Sequence, residues 1–236
     1  MSTEIPPTRP DAGAAAKLQI LVTEHWSLLA TRALTYNELL SRVTIFLSIL
    51  SGALIALALV AQADHFGLVF TSIAIPMLLV VLFAGLATIS RLMALNADDY
   101  RWVIGMNRLR SAYLELYPEL EPHFTTSPYD DFRGALQTLG IEGATGRSGL
   151  GSIFHTIQTL PGMLTVIVAA VAGAIAALVG IAFGTPQFGI VLMAAAAFVI
   201  VLVLMGIWGK RSFTRVSPSL APRFPSPPAS PRAGNP

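Results

Sequence analysis

Residues 91–117, RLMALNADDYRWVIGMNRLRSAYLELY, follow directly on an apolar run long enough to cross a bilayer, yet they keep a hydrophobic stripe of their own. Leu92, Leu95, Trp102, Met106, Leu109, Tyr113 and Leu116 recur in steps of three and four, interrupted at Asp99. That spacing places apolar side chains on one face of a helix continuing past the apolar run. Such a face needs a cover.

The apolar run is one of four uncharged segments, at about 43–63, 67–90, 160–183 and 188–208. Each is close to the roughly 20 residues that cross ~30 Å of hydrocarbon. With 54% hydrophobic residues against 12% charged over 236 residues, and a mean hydropathy of +0.66, the chain is too apolar for a water-soluble domain of its size. The expected fold class is all-α, with four transmembrane helices.

The connections around Asp64 to Phe66 and Gly184 to Phe188 are short and contain no Lys or Arg. The spans should therefore form two tight hairpins. All 15 Lys and Arg residues lie in the N-terminal segment, the middle segment or the C-terminal tail, which a four-span topology puts on one side. The positive-inside rule makes that side cytoplasmic, with both termini there. A net charge of +2 and a pI near 9.2 then express topology, and no nucleic-acid partner is expected. The absence of cysteine excludes disulfides and thiolate metal sites. Before residue 43 there is neither a basic start nor an apolar core, so no cleaved signal peptide is expected.

Residues 1–12 are Pro-rich and should be disordered. From Ala14 the pattern is helical. Leu18, Val22, Trp26, Leu29, Ala33, Tyr36 and Leu40 form a stripe that runs into the first span with no Gly or Pro break. This helix approaches the membrane on the side where the 91–117 helix leaves it. The two should pair as a cytoplasmic amphipathic hairpin, with Trp102, Met106, Leu109 and Tyr113 against Val22, Trp26, Leu29 and Ala33. The alternatives are a helix lying on the inner leaflet, with Arg101, Arg108 and Arg110 at anionic headgroups, and a stripe used for self-association.

Residues 118–156 read as a cytoplasmic loop. Within it, Ser127 as N-cap, Pro128 in the first turn and acidic Asp130 and Asp131 predict a short helix over 128–139 that stops at Gly140. A glycine-rich linker at 143–151 leads to the second pair of spans, 157–209, and the basic, proline-dense tail 210–236 should stay disordered.

Candidate sites are few. The spans contain no ionisable residue, which removes the usual basis of proton relays and ion-coupled transport. Pro76 should free the carbonyl of Ser72. Small residues repeat every four positions at Ser48, Gly52 and Ala56 and at Ala169, Gly173 and Ala177, a pattern that allows close helix packing. Ser48, Ser51 and Ser72 are the hydroxyls that would line a pore if several copies assembled. Glu119, Glu121 and His123 are too proline-broken to predict a metal site. No catalytic motif emerges, so no enzyme activity and no cofactor are expected. The expected partners are the lipid bilayer, a further copy of the chain and a cytoplasmic protein.

The stretches EHWSLLATRALTYNELLSRVTIFLSILSGALIALALVAQ and RLMALNADDYRWVIGMNRLRSAYLELYPELEP, followed by two spans, resemble a group of actinobacterial multi-pass membrane proteins of unassigned activity over roughly residues 24 to 210. The resemblance implies a helical inner-membrane protein. The order helix, two spans, cytoplasmic helix is also similar in outline to the SLATT family of two-span proteins, proposed pore-forming effectors; the second pair of spans departs from that pattern.

Overall fold

The computed structural model describes residues 12–140, 159–216 and 221–227, and among them it contains helices and no strand. The first eleven residues, the glycine-rich linker, 217–220 and 228–236 lie beyond the described residues, whereas 210–216, expected to begin the disordered tail, continue the last helix instead. Helix α1 spans Ala12–Asp64 and α2 spans Leu68–Leu116. A 3-10 turn at Pro118–His123 and the short α3, Phe132–Thr138, follow. Helices α4, Leu160–Ala182, and α5, Gln187–Val216, complete the order. Helices α1, α2, α4 and α5 are each long and apolar enough to cross a membrane.

Local chemistry explains the breaks. Helix α1 has no internal proline and ends at Asp64, whose carbonyl accepts from Gly67 N–H at 2.9 Å and whose carboxylate accepts from Phe70 N–H at 2.7 Å. His65 and Phe66 take φ of 49° and 61° to make this turn. A Cβ on Gly67 would stand 2.8 Å from Asp64 Oδ2, so glycine there leaves the carboxylate room to reach the Phe70 N–H. Pro118 stops α2. Thr159 caps α4 by accepting from Gly162 N–H at 3.3 Å.

Helix α3 begins later than the sequence suggests. Its N-cap is Asp131, which accepts from Gly134 N–H at 2.7 Å, while Ser127 Oγ accepts from Tyr129 N–H in a local turn. The carboxylate makes the stronger, charge-assisted cap, so Pro128 to Asp130 remain outside the helix. The end at Gly140, φ 70°, is as expected.

The chain divides into two compact units. One comprises residues 12–34, 99–140 and 221–227; the other comprises 35–98 and 159–216. In the second unit the core is Phe46, Val81, Ile89, Leu164 and Val168, all at most 2% exposed. Gly85 permits it: an added Cβ would lie 2.5 Å from Val168 Cγ2 and 3.0 Å from Phe46 Cε2. Gly173 does the same for α4 and α5, since its Cβ would stand 3.1 Å from the Ala194 carbonyl. On the opposite faces Val80, Phe83, Phe188, Val191 and Val203 are exposed, and none of the most apolar 18 residues of α5 is buried. Apolar surface of this extent does not stand in water. Glu38 holds Arg91 by two bonds of 2.9 and 3.0 Å and Arg42 by one of 2.8 Å, and these partners, Arg91 foremost, hold its carboxyl down at about 2.

Helix α1 turns a regular row of side chains inward. Leu18, Leu21, His25, Leu28, Arg32, Thr35 and Leu39 advance in strict steps of three and four, and all are buried or half-buried. Val43 comes four residues after Leu39, and Phe46 and Leu50 resume the alternation. The doubled step of four gives one eleven-residue interval, the spacing that interrupts a strict seven-residue repeat.

Candidate functional site: a polar helix seam and a strapped groove

Within the first unit α1 and α2 meet in reversed order. Tyr113 Oη donates to the Leu21 carbonyl at 3.0 Å, and the Tyr113 ring stacks on His25 at 5.9 Å and on Phe124 at 6.4 Å. Leu28 lies over Gly105, where an added Cβ would approach it to 3.1 Å. Arg32 then grips Asp99 through Nε to Oδ1 at 2.6 Å and Nη2 to Oδ2 at 3.3 Å. Asp99, which interrupts the apolar stripe, is thus the answering group for Arg32.

Asn107 is fully buried and ties three elements together. Its Oδ1 accepts from Arg110 Nη1 at 2.7 Å and from Thr138 Oγ1 at 2.9 Å, and its Nδ2 donates to the Tyr129 carbonyl at 2.7 Å. Burial, reinforced by the nearby Arg110 guanidinium, pushes the His25 imidazole below its ordinary value.

The pairing face differs from the one expected by a single residue along α1. Val22, Trp26, Leu29, Tyr36 and Leu40 are exposed, Trp26 at 67%, and Ala33 is exposed as well. One residue rotates a helix face by about 100°. On this part of α2 the buried residues are Tyr100, Val103, Ile104, Met106, Asn107, Arg110 and Tyr113, while Trp102 and Leu109 are half-buried. Met106 and Tyr113 therefore keep their expected inward place. Apolar patterning selected the wrong row on α1 because the inward row carries His25, Arg32 and Thr35, and Arg32 finds its partner, Asp99, 67 residues away.

Among the span candidates, Gly173 is buried against α5. Ser48, Ser51, Gly52, Ser72 and Pro76 are all exposed. Ser48 and Ser72 return their hydroxyls to the Thr44 and Val69 carbonyls at 2.9 and 2.8 Å, and Gly52 and Pro76 border one shallow apolar groove with Ala53 and Ala56.

The best-built site was not visible in the sequence. Residues 221–227, APRFPSP, placed by composition in a disordered tail, form a strap, bent at Arg223 and Phe224, seated on Asp130 and Asp131. Asp130 takes Arg223 N–H on Oδ2 at 2.9 Å and Phe224 N–H on Oδ1 at 2.7 Å, and its own N–H donates to the Phe224 carbonyl at 3.1 Å. Asp131 takes Ser226 N–H on Oδ2 at 2.9 Å and Ser226 Oγ–H on Oδ1 at 2.8 Å. Arg108 secures both sides, with Nε on Asp130 Oδ2 at 2.7 Å and Nη2 on the Ala221 carbonyl at 3.0 Å. The Asp130 side chain is fully buried. Phe224 and Pro225 line a cleft with Leu114, Pro118, Pro128 and Tyr129, and Glu115 and Glu121 stand at the same cleft. Gly134 lets α3 close against the floor, because a Cβ there would collide with the Tyr129 carbonyl oxygen. Adjacent acidic residues opposite a Pro-Arg-Phe-Pro-Ser tail were the only available signal, and spacing gives no hint of a contact across more than 90 residues.

Burial by itself raises both carboxyls, but the hydrogen bonds outweigh it. The Arg223 N–H, Arg108 and the Phe224 N–H bring Asp130 below its ordinary value, and the Gly134 and Ser226 donors do so for Asp131. Released carboxyls take up protons more readily than docked ones as pH falls. Docking is therefore full above the ordinary carboxylate value near 4 and is lost as pH drops through the lower docked values. A spin label on Ala221→Cys, the sole thiol in this cysteine-free chain, should stay immobile from pH 7 to about 5 and gain mobility below about 4. Mobility constant throughout that range would contradict carboxylate control.

The chain matches no protein-family model, no curated protein sequence and no solved structure.

Proposed function

We propose that this chain is a multi-pass bacterial inner-membrane protein, without enzymatic activity, that docks a partner through its helical unit outside the membrane. In this reading α1, α2, α4 and α5 cross the bilayer as two hairpins. The α1 and α2 extensions pair in the cytoplasm, with both termini on that side, and the outward row from Val22 to Leu40 is left for lipid or a further copy. The resemblance to actinobacterial multi-pass proteins is in keeping with this arrangement. The observation that carries the docking role is the capture of a segment without regular secondary structure by the Asp130–Asp131 pair, mainly through its backbone N–H groups. A site that reads backbone and one aromatic anchor takes any segment of similar shape.

The test uses the whole chain in nanodiscs. Phe224→Ala removes the apolar anchor of the strap and should let a labelled APRFPSP peptide bind in trans, while the unaltered protein excludes it by the high effective concentration of its own strap. If the Phe224→Ala protein takes up no peptide, the groove is not a docking site. Topology is checked separately by thiol labelling from outside. Cysteines introduced at Asp64 and Thr185 should react in intact cells and those within 118–140 should not.

The second reading is an oligomeric channel or pore-forming effector, in line with the outline similarity to SLATT proteins. It draws on the outward placement of Ser48, Ser51 and Ser72, which several copies could turn toward a shared path. Stepwise conductance in planar bilayers, abolished by Ser48→Leu with Ser72→Leu, would favour it over docking.

A further inference from the structure

We propose that Ser226 is a phosphorylation site and that its phosphorylation releases the strap from Asp130 and Asp131. The inference rests on the docking reading of the groove. Ser226 is held by its own hydroxyl proton, which Oγ donates to Asp131 Oδ1 at 2.8 Å beside the Ser226 N–H bond to Oδ2 at 2.9 Å. Phosphoryl transfer removes that proton. Oγ attacks the γ-phosphorus of a nucleoside triphosphate, an Oγ–P bond forms, the bridging P–O bond to the nucleoside diphosphate breaks, and the hydroxyl proton passes to the kinase's base. The donor has become an ester oxygen carrying a group of charge about −1.5 to −2.

The surroundings turn that charge into a release signal. Asp131 faces Oγ directly, Asp130 is its neighbour, and Glu115 and Glu121 line the adjoining cleft. Arg108 is already committed to Asp130 and the Ala221 carbonyl. Repulsion between like charges therefore replaces a charge-assisted hydrogen bond at the same atoms. The strap is also shaped as a substrate. Pro222, Pro225 and Pro227 hold the chain in an extended form after release, Ser226 is only half-buried while docked, and Pro227 follows it directly.

The experiment uses the full chain with Leu120→Cys and Ala221→Cys, both spin-labelled, and phosphoserine installed at position 226 by genetic-code expansion. The unmodified protein should give one short, narrow distance distribution. The phosphoserine protein should shift toward long, broad distances, with the undocked fraction raised about tenfold or more above that of Ser226→Ala, because like-charge repulsion is added to the lost hydrogen bond. Ser226→Ala, which loses the proton but gains no charge, should stay largely docked. Asp131→Asn should reduce the extra effect of phosphoserine, since it removes the nearest repelling charge. A broad distribution already in the unmodified protein would overturn the groove reading itself. A narrow one that phosphoserine leaves unchanged would overturn the switch alone. Phosphopeptide mapping of the protein from its own cells should find the modification at Ser226, and its absence at every growth stage would refute the site assignment.

Discussion

Val103→Asp should unfold the unit formed by residues 12–34, 99–140 and 221–227. Val103 is fully buried on α2, between Asp99, which meets Arg32, and Met106 and Asn107, and a carboxylate there would have no partner in place. The expected cost is on the order of 4 kcal/mol, at the high end for a single substitution. Leu29→Asp is the control, because Leu29 is apolar and on the neighbouring α1 but 43% exposed; its cost should stay within about 0.5 kcal/mol. Amide exchange across residues 99–116 separates the two, with protection lost in the first variant and kept in the second. Equal losses would mean that the inward row of α1 is the one containing Val22, Trp26 and Leu29 after all. Leu109→Asp should fall between them, since Leu109 is half-buried.

Asp130→Asn should free the strap while leaving the helices paired. An amide of the same shape cannot accept on both atoms, so one of the Arg223 and Phe224 N–H groups loses its partner and Arg108 loses its counter-charge. Each hydrogen bond to a charged group is worth about 1.5–3 kcal/mol, and the strap has little else beyond Phe224 and Ser226 to hold it. The Ala221→Cys label should become mobile at pH 7, as it does in unaltered protein at acid pH. Amide exchange across 99–116 should change little, since Arg32, Asp99 and Tyr113 are untouched. A strap that stays immobile in Asp130→Asn would show that Phe224 and Asp131 suffice.

Helix existence was legible because it depends on local pattern. Four uncharged apolar runs, a proline at 118 and a turn at Asp64 are each read from a few consecutive residues. Face assignment was half legible. Met106 and Tyr113 stand where the stripe of α2 puts them, but the inward row of α1 owes its place to Arg32 meeting Asp99 and to Tyr113 reaching the Leu21 carbonyl. Those are pairings between distant residues, and a scale that scores Arg and His as outward-facing ranks the neighbouring row higher. The start of α3 shows the same limit on a smaller scale: Ser127 and Asp131 are both good caps, and the Tyr129 carbonyl held by Asn107 accompanies the choice of the second. The strap was illegible because composition describes proline-rich chain in isolation, where it has no reason to order, and not beside a preformed pair of carboxylates.

The separation in sequence between the groove and its strap also sets an order in time. Asp130 precedes Arg223 by 93 residues, which at synthesis rates of about 5–20 residues per second is a delay of roughly 5–20 s. During that interval Arg108, Asp130 and Asp131 are already made, yet the strap that covers them is still to be translated, with α4 and α5 between. A newborn chain therefore passes through a period in which its groove is uncovered, and any segment that binds before residue 221 emerges meets no competitor within the same molecule.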